Sequence, residues 1–416
     1  MNNGNHTLNL FERFDSPIRD PLWNHIYLDR PFLDITRTQP FINLTRIRQL
    51  GPSFWVYPGA VHTRASHSFG VFEIGKRILT HLLKDPYCPE ISETGALSFL
   101  AACLLHDTGH FPFTHSLKEL PLKDHETISG EMVREEPLAS KLKAAGADPE
   151  FCAAIIDTHI PTENREIGFY RNILSGTLDP DKLDYLNRDA YFCGVPYGIQ
   201  DIDRVIDRMT ADGKNGIGLY EDGILSVENI LFSKYSMYKS VYWHKTVRNA
   251  TALIKKGVTT ALSNGMLTPE SLYRQTDASF FAAVTDSRFP LHRFFSDAFD
   301  GRFYRCVAEK PFSELPYPEL TDLNLRSRFE RETAAALGFP ETETELPLIL
   351  DIPEPIRFET EIALFDSSHR VCDRNPSIFD ADSSRRFSDC LRRVRLFVHP
   401  DYSDRLGSEE WQKILS

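Results

Sequence analysis

The strongest constraint on the fold is the run TGALSFLAACLLH, Thr94 to His106, in which Leu97, Leu100, Ala101, Leu104 and Leu105 recur at i, i+3, i+4, i+7 and i+8. That period belongs to an amphipathic helix and excludes a strand. A helix this apolar must be covered by other helices, so the segment predicts a helical core. At roughly 100° per residue, His106 projects opposite Leu97 and off the stripe. It is followed by Asp107 and, two places later, by Gly109, a helix stop signal. An imidazole next to a carboxylate at the end of a core helix points to chemistry rather than packing.

The surrounding pattern is helix after helix from about His62 to Gly194. Residues 16–30 read as an extended lead-in, and Leu33 to Leu50 as a helix that runs out at Gly51-Pro52. Between Ile202 and Val227, GIGLY and GILSV flank Glu221-Asp222-Gly223 and predict a β-hairpin. A long helix is expected from Glu228 to about Asn264. Residues 276–345 read as mixed and mostly helical, whereas PLILDIP, RFETEIALF and RVRLFV read as strands. The expected organisation is mainly α: an N-terminal segment and helix (1–52), a helical core (53–200), a small β-hairpin insertion and long helix completing it (201–275), and a C-terminal α+β lobe (276–416).

Further polar residues fall at helical spacing. Arg64 and His67 share one face of a helix whose other positions include Val71, Ile74 and Ile78. Asp179-Pro180 supplies an N-cap followed by proline at the first helical position. On the helix that follows, Asp181, Lys182, Tyr185 and Asp189 occupy one arc, opposite Leu183, Leu186 and Ala190. Two imidazoles and two carboxylates form a mixed nitrogen and oxygen set suited to a divalent first-row metal. Each residue alone is more often structural; the combination is what carries the reading.

His67, His106-Asp107 and Asp181 resemble the H…HD…D signature of the HD-domain superfamily. With Gln49-Leu50-Gly51, HTRASHS, LLHDTGHFPFTH, His125-Glu126 and DPDKLDYLNRDAYFCGVPYG, the chain is similar over roughly residues 20–260 to the branch of deoxynucleoside triphosphate triphosphohydrolases. The resemblance implies an HD-domain helical core with one divalent ion, manganese, magnesium, iron or zinc, held by His67, His106, Asp107 and Asp181. It implies that Arg64, Lys182, Tyr185 and Lys234 hold the phosphates, and that His110, His115 and His125 surround the scissile bond, with His125 as general acid. It further implies that Gln49 and Asp189 read the 3′-hydroxyl while Leu50 and Tyr242 fill the space of a 2′-hydroxyl. The implied reaction is hydrolysis at the α-phosphorus to nucleoside and inorganic triphosphate.

Three positions depart from the family pattern. Lys118 stands where relatives carry an acidic residue, with Glu119 next to it as a catalytic candidate in a shifted register. Lys234 replaces a common arginine, and Trp243 stands near the expected base position. Another nucleotide phosphohydrolase, a nucleotidase or phosphodiesterase, is the nearest alternative; a nucleotide-binding regulator with little turnover, or an assembly protein, comes from a different class.

Bulk properties narrow the partners. A formal net charge of −12 over 416 residues repels polyanions, so nucleic acid is not an expected partner and the phosphate site must be a local basic pocket. Seven cysteines without a CxxC pair suit a reducing compartment, and with no apolar run of about 20 residues the expectation is a cytoplasmic protein without a membrane partner. By family resemblance a homo-oligomer and a nucleotide activator are expected, with the Tyr242–Lys245 region as a candidate contact.

Overall fold

The computed structural model describes residues 10–213, 216–340, 344–356, 358, 362–372, 377 and 381–416. The lead-in is an antiparallel ribbon in which β1 (Ser16–Asp20) pairs with β2 (Asn24–Leu28), Asp20 facing Asn24. The Asp20 carboxylate closes its turn by accepting from the Leu22 and Trp23 amides, both at 2.9 Å. The single helix expected over Leu33–Leu50 is two, Arg30–Thr36 and Gln39–Leu44. Pro40 has no N–H to donate back to Thr36, so the first helix stops and the chain restarts with proline in the first turn.

Helix Glu93–Leu105, capped by Ser92, lies at the centre, and every residue from Gly95 to Leu105 is buried. The leucines and Ala101 form one side; Gly95, Ala96 and Ala102 let neighbours approach elsewhere, so the helix is enclosed rather than half-exposed. Helix Arg64–Leu82 packs against it and against Pro180–Cys193, which begins at the predicted Asp179 cap. His125–Arg134 and Pro149–Ile156 close the far side. Helices bearing the predicted ligands therefore share one core.

The hairpin is displaced from its expected place: β3 (Met209–Ala211) pairs antiparallel with β4 (Ile217–Tyr220), while Glu221–Gly223 is a 3-10 turn into helix Ile224–Met237. GILSV is thus helical, because Val227, Ile230 and Leu231 continue it with period 3.6 and are buried. The long helix is interrupted by a π turn at Tyr238–Tyr242, then restarts as Lys245–Ser263 with His244 as N-cap. That break turns Tyr242 and Trp243 toward the interior cavity.

In the C-terminal lobe, β5 (Arg305–Pro311) and β6 (Leu348–Asp351) flank β8 (Arg393–Val398), both antiparallel to it, in the order β5-β8-β6. Strand β5 lies within the region expected to be mostly helical, where helices Asp277–Thr285, His292–Phe299 and Leu323–Ala336 also form. Of RFETEIALF, residues 357 and 359–361 lie outside the described residues, and β7 (Ala363–Phe365) pairs in parallel with β4. The sheet docks on Lys245–Ser263 through a buried Arg248–Asp351 ion pair, with Arg248 Nε 3.0 Å from Asp351 Oδ2. No described helix is long and apolar enough to cross a membrane.

Candidate metal centre and cavity

Four side chains, from helices Arg64–Leu82 and Pro180–Cys193 and from the turn that ends Glu93–Leu105, gather at one site. His67 Nε2 lies 2.8 Å from Asp181 Oδ1, and His106 Nε2 lies 3.4 Å from Asp107 Oδ1 and 3.9 Å from Asp181 Oδ1. Ligand atoms of His67, His106 and Asp107 fall within 4.8 Å of one another. In both histidines the other ring nitrogen faces an acceptor: His67 Nδ1 donates to Asp184 Oδ2 at 2.8 Å, and His106 Nδ1 to the Cys103 carbonyl at 2.9 Å. These bonds fix the proton on Nδ1 and leave Nε2 as a lone pair for a ligand in the neutral ring. His106 Nε2 is buried without a hydrogen-bond partner, which costs free energy unless a cation accepts that lone pair. The donor set fits a divalent ion.

Support behind His67 goes further than the sequence reading reached. Asp184 is fully buried and accepts four donors: His67 Nδ1, Arg188 Nε and Nη2 at 2.8 and 2.9 Å, and Trp23 Nε1 at 2.6 Å. Arg188 in turn donates to Asp20 at 2.9 Å, so the N-terminal ribbon braces the centre. Gly70 is required here, since a Cβ would stand 1.8 Å from Asp184 Oδ1. Gly109 is likewise set by close approach rather than by ending the helix: a Cβ would lie 2.1 Å from the His125 carbonyl oxygen.

Electrostatics hold the carboxylates ionised. Burial opposes charge on Asp107, but His110, His106 and Arg64 outweigh it and keep the carboxyl well below its ordinary range. Arg64 Nη1 donates to Asp107 Oδ2 at 2.8 Å. For His67 burial again opposes charge, yet Asp181 and Asp184 raise the metal-free imidazole to about 10, so a bound ion must displace that proton.

A histidine trio stands beside the centre. His110 Nδ1 faces Asp107 Oδ1 at 3.1 Å, and His110 Nε2 meets His115 Nε2 at 3.2 Å. Burial and Arg64 lower the His110 ring well below the usual histidine value, and the surrounding protein shifts His115, whose ring is open to the cavity, in the same direction, so the pair is formed by neutral rings. With His110 Nδ1–H given to the Asp107 carbonyl at 3.3 Å beside the carboxylate, His110 Nε2 must accept, His115 Nε2–H must donate, and His115 Nδ1 keeps a free lone pair. The His125 ring lies 4.0 Å from that of His110 between centroids and gives its Nδ1–H to Asp124 at 2.9 Å. That bond is the main reason the Asp124 carboxyl sits far below its ordinary range.

The cluster opens into a cavity of about 610 Å³, in the range of small-molecule sites. Gln49, Leu50, Tyr185, Asp189, Lys234 and Tyr242 line it with Arg64, His115 and His125. Asp189 is held at Oδ1 by His62 Nε2 (2.9 Å) and at Oδ2 by the Tyr242 hydroxyl (2.6 Å). Gln49 Oε1 is buried without a partner.

Three of the expected site residues are absent from the cavity wall. Lys182 is buried, with Nζ 3.2 Å from Asp179 Oδ2 and 3.3 Å from the carbonyls of Gly176 and Thr177, so it closes the helix N-terminus. Glu119 pairs with Lys255 at 3.2 Å and Arg326 at 3.0 Å, bracing the C-terminal lobe. His110 forms the row behind His115. Lys118 does line the cavity, as does Glu126, whose carboxyl is raised by burial. The residues missed from sequence stand behind the site rather than in the cavity wall: Asp184 holds the His67 ring, Arg188 and Trp23 hold Asp184, and His62 holds Asp189; the signal for two of them was charge at i and i+4 on the core-facing side of Pro180–Cys193.

Comparison with known proteins agrees with this geometry. The HD domain family matches residues 64–191, and the HD associated region family matches 200–373. An uncharacterized Bacillus subtilis protein, YwfO, is 33% identical over 241 residues, 57% of this chain and 54% of that protein. The deoxynucleoside triphosphate triphosphohydrolase SAMHD1 homolog of Dictyostelium discoideum is 27% identical over 262 residues, 59% of this chain and 49% of that protein. The chain thus spans about half the length of the curated relatives it matches. A crystal structure of a phosphohydrolase from Bacteroides thetaiotaomicron superposes with a TM-score of 0.70 at 23% identity, covering 92% of this chain and 100% of that one. A mainly α core that matches the HD domain model and carries His67, His106 and Asp107 within metal-ligating distance, followed by a C-terminal α+β region, gives this chain the HD-domain fold.

Proposed function

We propose that the protein hydrolyses deoxynucleoside triphosphates to deoxynucleoside and inorganic triphosphate with one divalent ion held by His67, His106, Asp107 and Asp181. The observation that carries this reading is the continuity of one cavity from His115 and His125 to Gln49, Leu50, Asp189 and Tyr242. A substrate there meets phosphate-handling groups at one end and sugar-sized polar groups at the other. The name of the Dictyostelium relative supports the same substrate.

Once bound, the divalent ion supplies Lewis-acid charge that acidifies water and neutralises the phosphoryl oxygens. Arg64 and Lys234 add cationic charge, and the Tyr185 phenol offers a donor to phosphate oxygen. His115 Nδ1, the free acceptor of the neutral pair, takes a proton from attacking water. His125, held by Asp124, delivers one to the departing 5′-oxygen. Leu50 and Tyr242 leave a 2′-hydroxyl without a partner, a penalty of about 1–3 kcal/mol against a ribonucleotide.

Lys182 and Glu119 favour a second reading, another nucleotide phosphohydrolase of the same fold. With Lys182 committed to the Asp179 cap, one cation fewer faces a triphosphate chain. Incubating the metal-loaded protein with each deoxynucleoside triphosphate, singly and with GTP as activator, and separating the products decides between them. Nucleoside plus triphosphate supports the first reading; monophosphate or diphosphate products support the second and reject the first.

A further inference from the structure

We propose that His62 is a positioning residue that fixes both polar readers of the sugar pocket, Gln49 and Asp189, and thereby sets discrimination for a 3′-hydroxyl. The inference rests on the deoxynucleotide reading of the cavity. His62 is 5% exposed and does not line the cavity, yet it touches both residues that do. Its carbonyl accepts the Gln49 amide at 3.0 Å, beside the Arg48–Thr63 β-bridge, which sets where the Gln49 side chain departs from the backbone. Its Nε2 lies 2.9 Å from Asp189 Oδ1.

A carboxylate only accepts, so His62 carries its proton on Nε2. The ring is clamped by stacking on Phe192, with centroids 4.6 Å apart and 20° between planes. Its Nδ1 is buried and has no hydrogen-bond partner. A side chain kept only for packing would satisfy that atom or lack it, so the ring is retained at a cost for what Nε2 does. What Nε2 does is complete the fixing of Asp189. One carboxylate oxygen takes His62 and the other takes Tyr242, which fixes the plane of a carboxylate that lines the cavity. Gln49 Oε1, buried and unpartnered, adds a second acceptor held by the same residue. A ligand hydroxyl donates to this pair only if both stay in place, and preorganised acceptors bind it without a further ordering penalty.

The test compares deoxyadenosine triphosphate with 2′,3′-dideoxyadenosine triphosphate on the full-length, metal-loaded protein, measuring kcat, KM and calorimetric Kd. His62→Phe keeps the ring on Phe192 and removes the N–H; His62→Gln keeps a donor and removes the ring. The unaltered protein is expected to prefer the 3′-hydroxyl at least about tenfold. His62→Phe should lose about tenfold of that preference through KM and Kd, with metal content unchanged, and His62→Gln should recover part of it. Retention of the preference in His62→Phe overturns the proposal, as does equal loss in both variants, which would assign the effect to ring packing. Should His62→Phe not fold, His62→Gln decides alone: a retained preference supports the donor role and a lost one overturns it. Absence of any preference in the unaltered protein instead removes the deoxynucleotide reading, and His62 as a sugar-positioning residue with it.

Discussion

Replacing Asp184 by asparagine tests the idea that the metal centre is built from behind. The side chain is nearly isosteric, so packing against Gly70 is preserved, but its chemistry toward four donors changes. Asp184 receives His67 Nδ1, two nitrogens of Arg188 and Trp23 Nε1. Asparagine presents one carbonyl oxygen to them, and its amide hydrogens face whichever donors remain. Two effects follow. Arg188 keeps only Asp20 as a charged partner, and disrupting a buried ion pair costs about 3–5 kcal/mol of folding free energy, less whatever Asp20 retains. His67 also loses the carboxylate that orients its ring and raises its basicity as a ligand. Loss of such outer support typically weakens metal binding by about 10–100-fold, about 1.4–2.8 kcal/mol. Urea unfolding of the metal-free protein reads the first effect and calorimetric titration with manganese reads the second. Trp23→Phe removes a single donor and should show a smaller stability loss with nearly unchanged metal affinity. An Asp184→Asn protein that binds manganese as tightly as the original and unfolds at the same urea concentration would refute the reasoning.

The other predictions concern the centre itself, its tight approaches and its outer brace. Asp107→Ala should lose both the ion and turnover, read by metal analysis and product assay; an active, metal-free variant would reject the ligand assignment. Gly109→Ala forces a Cβ to 2.1 Å from the His125 carbonyl, so either the strand of chain carrying His125 moves or the protein destabilises by more than about 1 kcal/mol, measured as a lower Tm with reduced kcat. Glu119→Gln should lower stability more than it lowers kcat, because it leaves Lys255 and Arg326 without the carboxylate they share; a large kcat loss at unchanged Tm would restore Glu119 to the catalytic set. Asp351 adds a pH dependence: burial opposes its charge but Arg248 and Lys255 outweigh it, so its folded pKa lies below the unfolded value near 3.9. Its contribution is therefore present above about pH 4 and lost as pH falls through the folded value, and Asp351→Asn should flatten stability over that acid range.

How far the sequence reached follows from what each pattern could encode. The core helix, the Asp179 cap and the metal cluster were legible because they obey local rules: a 3.6-residue period, a capping residue before proline, and polar residues placed off an apolar stripe. The hairpin register was not, since Gly223 satisfies a turn and a helix start equally well, and what decides is the burial of Val227, Ile230 and Leu231 against distant helices. The break at Tyr238–Tyr242 carries no proline or glycine signal at all, yet it brings Tyr242 to Asp189. Lys182 shows the same limit in the site. Its spacing put it on the face of Asp181 and Tyr185, but a lysine one turn into a helix can also fold back on its own cap, and Asp179 with two loop carbonyls offers it three acceptors there. The candidate ligands could be found from types and spacing, and Asp184 and Arg188 stand at i and i+4 on one helix, but their link to Asp20 and Trp23 runs through long-range contacts between a ribbon and a helix more than 150 residues apart. A metal centre read from sequence alone is therefore a list of ligands. The geometry that tunes them, on which affinity and protonation depend, is a property of the tertiary fold.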